Sequence, residues 1–129
     1  MPMKTWVMRI FIVLFFTLAA FSPAIAADLK EIDGTALEAM MADGKAMMIV
    51  DVREPDEFAA GHLKGAINIP FRPAKTRVLN ELSPKDRIVF VCHGGPMGHE
   101  LGTLLSQNNY PDVYNLIGGM KKWKGSVVK

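Results

Sequence analysis

Cys92 is the single cysteine of the chain. It closes the apolar run Arg87-Ile-Val-Phe-Val-Cys92, and His93-Gly-Gly-Pro-Met-Gly98 follows at once. A thiol at this point has the makings of a nucleophile. The run before it has the length and apolar character of a buried strand, and the glycines after it mark a turn. Open α/β folds place their ligands where a strand gives way to a helix, at the carboxyl edge of the sheet. The N–H groups of a glycine-rich loop and the start of the next helix favour negative charge there. A lone cysteine is often only a small apolar core residue. The glycine-rich loop and the strand-end position point instead to chemistry.

Such a thiol needs a sheet to hold it, and the rest of the chain has the pattern of one. Leu29 to Ile32 reads as a short first strand. Asp33 can cap a helix running from Gly34 to about Ala42, with Leu37, Met40 and Met41 on one face. Ala46 to Val50 is a continuous apolar run leading into Asp51, as a strand buried on both faces would be. Glu54 to Ala60 has the pattern of one or two helical turns, and Ala66 to Ile69 forms a third apolar segment. Pro73 to Leu82 has helical spacing, with Val78, Leu79 and Leu82 apolar. Gly98 to Gln107 reads as a helix with Leu101, Leu104 and Leu105 inward, and Val113 to Leu116 as a fifth strand. Strands and helices alternate throughout. The expectation is one α/β domain, with a mainly parallel sheet of about five strands and helices on both faces. The methionine pairs Met40-Met41 and Met47-Met48 read as core filler.

The first segment has another character. Lys4 and Arg9 form a positive start, Ile10 to Phe21 an apolar stretch, and Ala24-Ile25-Ala26 a small-x-small pattern. Together these predict a secretory signal peptide over residues 1–26, cut after Ala26, and a domain over residues 27–129. The rival is an uncut anchor. The uncharged stretch from Ile10 to Ala27 is at the short end of what spans a bilayer, so no stable membrane insertion is expected after processing. Periplasmic or otherwise exported localisation follows. Without the leader, 103 residues remain, enough for one compact domain. The chain has 15 basic and 13 acidic residues, and Lys4 and Arg9 leave with the leader. The remaining domain is formally neutral and gives no argument for a nucleic-acid partner. A single cysteine excludes an internal disulfide. An unpaired thiol in an oxidising compartment fits a reactive role.

Four segments now point to a family. Val50-Asp51-Val52-Arg53-Glu54-Pro55-Asp56-Glu57-Phe58 is followed by Gly61-His62-Leu63-Lys64-Gly65-Ala66-Ile67-Asn68-Ile69-Pro70. Then come Val91-Cys92-His93-Gly94-Gly95 and, last, Gly118-Gly119 with Trp123. In this order and spacing the chain resembles a rhodanese domain from about Leu29 to Gly125, and its layout is similar to the small exported single-domain rhodaneses of the phage-shock type. The resemblance implies sulfur transfer. A loop cysteine takes a sulfane sulfur from a donor such as thiosulfate, holds it as a persulfide, and passes it to cyanide or a thiol, including a protein thiol. By position, Cys92 is the nucleophile. His93, Gly94, Gly95, Pro96, Met97 and Gly98 bind the substrate and cradle the persulfide. Asp51 and Arg53 brace the loop from a neighbouring strand end, and His62 is structural. The resemblance implies no metal and no organic cofactor.

The departures from the family pattern bear on activity. The common loop reads Cys-x-x-Gly-x-Arg-Ser or similar, whereas this chain has Met97 at the arginine position and Gly98 at the hydroxyl position. Pro96 removes one amide donor. The missing cation would make a charge-assisted bond to a sulfonate, worth about 1.5–3 kcal/mol, so thiosulfate binding is expected to weaken roughly ten- to a hundredfold. Arg72, Lys75 or Arg77 could supply the charge instead. Phosphatases of related fold need an arginine six residues after the cysteine. Gly98 stands there, which argues against phosphoryl transfer. Two other readings remain open from the sequence. One is a catalytically weak rhodanese-like binding or persulfide-carrier module. The other is a Cu(I)-binding exported protein using Cys92, His93, Met97 and His99, all soft or borderline ligands.

Overall fold

The computed structural model describes residues 19–20 and 28–129. The leader assigned to residues 1–26 lies outside the described residues, Ala19 and Ala20 aside. Among the described residues no helix is long and apolar enough to cross a membrane.

Strands and helices alternate in the order β1 (Lys30–Ile32), α1 (Gly34–Ala42), β2 (Met48–Asp51), α2 (Pro55–Ala60), β3 (Ile67–Asn68), α3 (Phe71–Glu81), β4 (Ile88–Val91), α4 (Pro96–Gln107), β5 (Val113–Leu116) and α5 (Gly119–Lys122). The five strands form one sheet in the order β1-β5-β4-β2-β3, and every pairing is parallel. This is the expected architecture. β4 is the central strand, so Cys92 leaves the sheet at its middle.

Alternation along β4 divides the core into two layers. Ile88, Phe90 and Cys92 face one side with Val50, Val52, Val78, Leu101 and Leu105, under α3 and α4. Val89 and Val91 face the other side with Leu37, Ile49, Leu63 and Leu116, beneath α1 and the Trp123 side chain. Both faces are covered, which is why β4 is apolar at every position rather than alternating. The methionine pairs pack against these layers: Met40, Met41 and Met47 on the α1 side, and Met48 on the other.

Three helix starts differ from the sequence reading, and all the corrections involve proline: α2 begins at Pro55 rather than Glu54. α3 begins at Phe71 rather than Pro73, and α4 at Pro96 rather than Gly98. The first turn of a helix has no intrahelical acceptors for its N–H groups, so a proline there costs no hydrogen bond. Pro73 and Pro96 both occupy such positions. The α4 correction matters for the site, because Met97 and Gly98 belong to the helix and only His93–Gly95 form the loop. At the other expected start, Asp33 caps α1 by accepting from the Ala36 N–H at 2.8 Å.

Candidate active site

The site is a three-residue loop between the end of β4 and the start of α4. Cys92 has 1% of its surface exposed, and its Sγ accepts a hydrogen bond from the Gly95 N–H at 2.9 Å. Gly95 reaches the sulfur through a left-handed backbone conformation, φ +118°, which favours glycine. Among the described residues, the N–H groups of His93, Gly94, Met97 and Gly98 have no hydrogen-bond acceptor. Those of Met97 and Gly98 belong to the first turn of α4, where such donors are left over. Pro96 contributes none. The result is a set of backbone donors around a thiol, the arrangement that binds an anion.

The loop is seated from below by α5. The carbonyl of Cys92 accepts from the Met120 N–H at 2.8 Å, and that of His93 from the Lys121 N–H at 2.9 Å. Gly119 allows this contact. A Cβ on it would lie 2.2 Å from the Cys92 carbonyl oxygen and 2.6 Å from that of His93. Its φ of +54° is also a left-handed value. The Gly118-Gly119 pair therefore receives the loop, with the carbonyls drawn down toward α5.

Asp51 and Arg53 stand at the neighbouring strand end, β2, where Asp51 pairs in register with Val91. The Asp51 side chain is fully buried and that of Arg53 is 9% exposed. The guanidinium donates to both carboxylate oxygens at 2.8–3.1 Å, and its Nη2 also donates to the Gly61 carbonyl at 2.8 Å. These bonds close on the β2–α2 turn and on the end of α2. None goes to residues 93–98. The two residues brace the loop at one remove, by holding Val52, whose N–H donates to the Val91 carbonyl at 2.9 Å. His62 is structural in the same region. Its Nδ1 shares a hydrogen bond with the Phe58 carbonyl at 2.8 Å, and its ring stacks on Phe58 at 3.7 Å.

Met97 is exposed at the helix start, with 45% of its surface free. Two of the three cations that could replace the loop arginine are engaged elsewhere: Arg77 pairs with Glu81 along α3, and Lys75 with Glu100 of α4 at 3.2 Å. Arg72 is exposed in the first turn of α3 and has no ion pair among the described residues. Of the four soft ligands considered for copper, the Cys92 sulfur is bonded to Gly95 and His99 is paired with Glu31 of β1. Among the described residues no group of three or more His, Cys, Asp and Glu side chains could hold a metal ion.

Two participants escape a reading by motif. Asn115 is 2% exposed in β5, and its Nδ2 donates to the Gly95 carbonyl at 3.1 Å and to Glu31 at 2.8 Å. The one sequence signal for Asn115 was a polar residue inside the apolar run Val113–Leu116. Glu31, in a short edge strand, gave no signal.

Comparison with known proteins places this geometry. Residues 33–126 match the family model described as a rhodanese-like domain. The uncharacterized protein YqhL of Bacillus subtilis (strain 168) is 38% identical over 79 residues, 61% of this chain. The match spans 62% of YqhL, less than two thirds of its length. Thiosulfate sulfurtransferase PspE of Escherichia coli (strain K12) is 34% identical over 73 residues, 56% of this chain and 69% of PspE. The crystal structure of a rhodanese-like domain protein from Staphylococcus aureus matches with a TM-score of 0.67 at 31% identity, over 76% of this chain and 93% of that one.

Proposed function

This chain belongs to the rhodanese-like domain family, and we propose that it is an exported sulfurtransferase that carries a sulfane sulfur as a persulfide on Cys92. The observation that carries this reading is the Gly95 N–H on the Cys92 sulfur at 2.9 Å, in a loop whose neighbouring amides have no acceptor. A persulfide adds one sulfur and keeps the negative charge, so it needs donors around it and no competing base.

The steps balance without a metal or a redox partner. The Cys92 thiolate attacks the outer sulfur of thiosulfate. The sulfur–sulfur bond of the donor breaks, and sulfite leaves with its electron pair. The Cys92 persulfide that remains bears its charge on the terminal sulfur, within reach of the free amides. Cyanide or a thiolate then attacks that sulfur, the Cys92–sulfur bond breaks, and the Cys92 thiolate returns. Backbone donors fixed in advance stabilise each anion without reorganising.

The loop supplies no guanidinium for the sulfonate, since Met97 stands at that position. That favours a neutral or protein-bound sulfur donor over thiosulfate in the cell, with the chain then acting as a persulfide carrier. Export is part of the proposal and rests on the leader pattern of Lys4, Arg9, the apolar stretch to Phe21 and Ala24-Ile25-Ala26. N-terminal sequencing from an exporting host should give Ala27. The full chain in the membrane fraction would overturn export.

Intact mass tests the chemistry. After thiosulfate the protein should gain one sulfur atom, and cyanide should remove it. Cys92→Ser, a swap of similar size, should gain none and transfer none while keeping its fold. A wild type that gains no sulfur from thiosulfate or from a persulfide donor would overturn the reading, as would transfer surviving in Cys92→Ser.

A further inference from the structure

Asn115 is a buried amide in the middle of a parallel sheet, where an unpaired polar group would cost several kcal/mol. Its hydrogen bonds show what holds it. One Nδ2 proton goes to the Glu31 carboxylate at 2.8 Å and the other to the Gly95 carbonyl at 3.1 Å. Both partners accept, so the amide can face only one way. Its Oδ1 is then turned toward Gly98 and has no hydrogen-bond partner. A Cβ at residue 98 would lie 2.2 Å from that oxygen. Asn115 and Gly98 are thus a matched pair, which accounts for a glycine where related loops carry a hydroxyl residue.

Gly95 is the residue on which this arrangement bears. Its N–H donates to the Cys92 sulfur, while its carbonyl receives both Asn115 Nδ2 and the His99 N–H, the latter at 3.0 Å. The other carboxylate oxygen of Glu31 is held by His99 Nδ1. A closed ring of contacts therefore runs from β5 to β1, to α4, and back to the loop. Nothing else among the described residues grips the Gly95 carbonyl from the sheet side.

We propose that Asn115 is the positioning residue of the Cys92 loop: by anchoring the Gly95 carbonyl it aims the Gly95 N–H at the sulfur, and Glu31 holds Asn115 in that orientation. Its catalytic consequence rests on the sulfurtransferase reading, but its geometry can be tested without sulfur transfer.

The test compares Asn115→Asp, Glu31→Gln and the double variant in the full chain. Asn115→Asp sets a carboxylate against Glu31 and against the Gly95 carbonyl. It should lower the melting temperature, and the Gly95 amide should exchange at least tenfold faster relative to that of Phe90, in the core of β4. The kcat for sulfur transfer should fall at least tenfold, with thiosulfate KM moving less than threefold. Glu31→Gln still offers an oxygen to Asn115 and is the reference for the double variant in melting temperature, Gly95 exchange and kcat. In the double variant the new Gln amide can donate to the Asp, so the melting temperature should recover. The Gly95 carbonyl still faces an acceptor, so its amide should stay fast and kcat low. Recovery of Gly95 protection and kcat together with the melting temperature would overturn the proposal and leave Asn115 a fold residue. Unchanged Gly95 exchange in a folded Asn115→Asp would also overturn it. If Asn115→Asp does not fold, the double variant against Glu31→Gln carries the same test. A wild type that forms no persulfide would sink the sulfurtransferase reading and leave the exchange result standing.

Discussion

At the carboxyl edge of the sheet, β2 and β4 end side by side with Asp51 opposite Val91, and the two ends are built in opposite ways. At the β2 end the Asp51 carboxylate and the strand-end carbonyls are closed on neighbours. The Asp51 carboxylate takes the Arg53 N–H and guanidinium, and its carbonyl takes the Ile69 and Asn68 donors. The Val52 carbonyl takes the Phe71 N–H. At the β4 end the Cys92 and His93 carbonyls are closed, on Met120 and Lys121, while among the described residues several N–H groups stay open. One end is thus a finished structure, and the other is finished only on its acceptor side. Open donors of this kind suit an anion, and the first end and the α5 seat below hold the loop that carries them. At β2 the residues that carry the resemblance close the fold, and at β4 they leave backbone donors open.

Breaking the closed end should give the larger effect. Arg53→Ala leaves the Asp51 carboxylate buried with a single N–H partner. Removing one member of a buried ion pair typically costs about 3–5 kcal/mol. Urea unfolding should show a loss of that size, with Cys92 chemistry retained in the fraction that stays folded. A loss below about 1 kcal/mol would mean the pair adds no more than a surface ion pair does, and would remove the distinction between the two ends.

A smaller effect should come from the seat of the open end. Gly119→Ala places a methyl against the Cys92 and His93 carbonyls in a left-handed conformation that costs an L-residue about 1–2 kcal/mol before any clash. The expected loss is about 2–3 kcal/mol of stability, with persulfide formation slowed more than unfolding alone explains. Equal losses in stability and rate across the two variants would show that α5 supports the fold and not the loop.

The difference between the ends also explains what could be read in advance. Cys92, its strand, the parallel sheet and the two-sided core follow from apolar runs and glycine punctuation, which are local properties. Asp51 and Arg53 were legible as a motif, but not their closure on Gly61, which lies eight residues past Arg53 at the far end of α2. The start of α4 was hidden because Gly94-Gly95-Pro96 reads as a breaker, while the folded chain uses Pro96 as the first helical residue. Asn115 and Glu31 were out of reach because their partners are set by tertiary pairing of β1 with β5, 84 residues apart.

The finest test concerns charge at the mouth of the open end. Met97 offers a thioether where a sulfonate would need a cation, and Lys75 and Arg77 are paired away from it. Lys75 and Glu100 tie the second turn of α3 to α4 just inside its first turn. Arg72 and Met97 each stand three residues, about one turn, before these partners. Two outcomes separate a lost cation from a relocated one. If it is lost, Met97→Arg should raise kcat/KM for thiosulfate about ten- to a hundredfold, through a charge-assisted contact worth about 1.5–3 kcal/mol. Arg72→Ala should then change little, and a neutral persulfide donor should respond to neither variant. If it is relocated, Met97→Arg should leave thiosulfate kinetics unchanged and Arg72→Ala should raise the thiosulfate KM by about the same factor. Arg72, exposed and without an ion pair among the described residues, is free to act there, whereas a thioether at residue 97 cannot carry charge at any pH. The first outcome is therefore the expected one, and it would make the amides of the open end, rather than any side chain, the whole of the anion site.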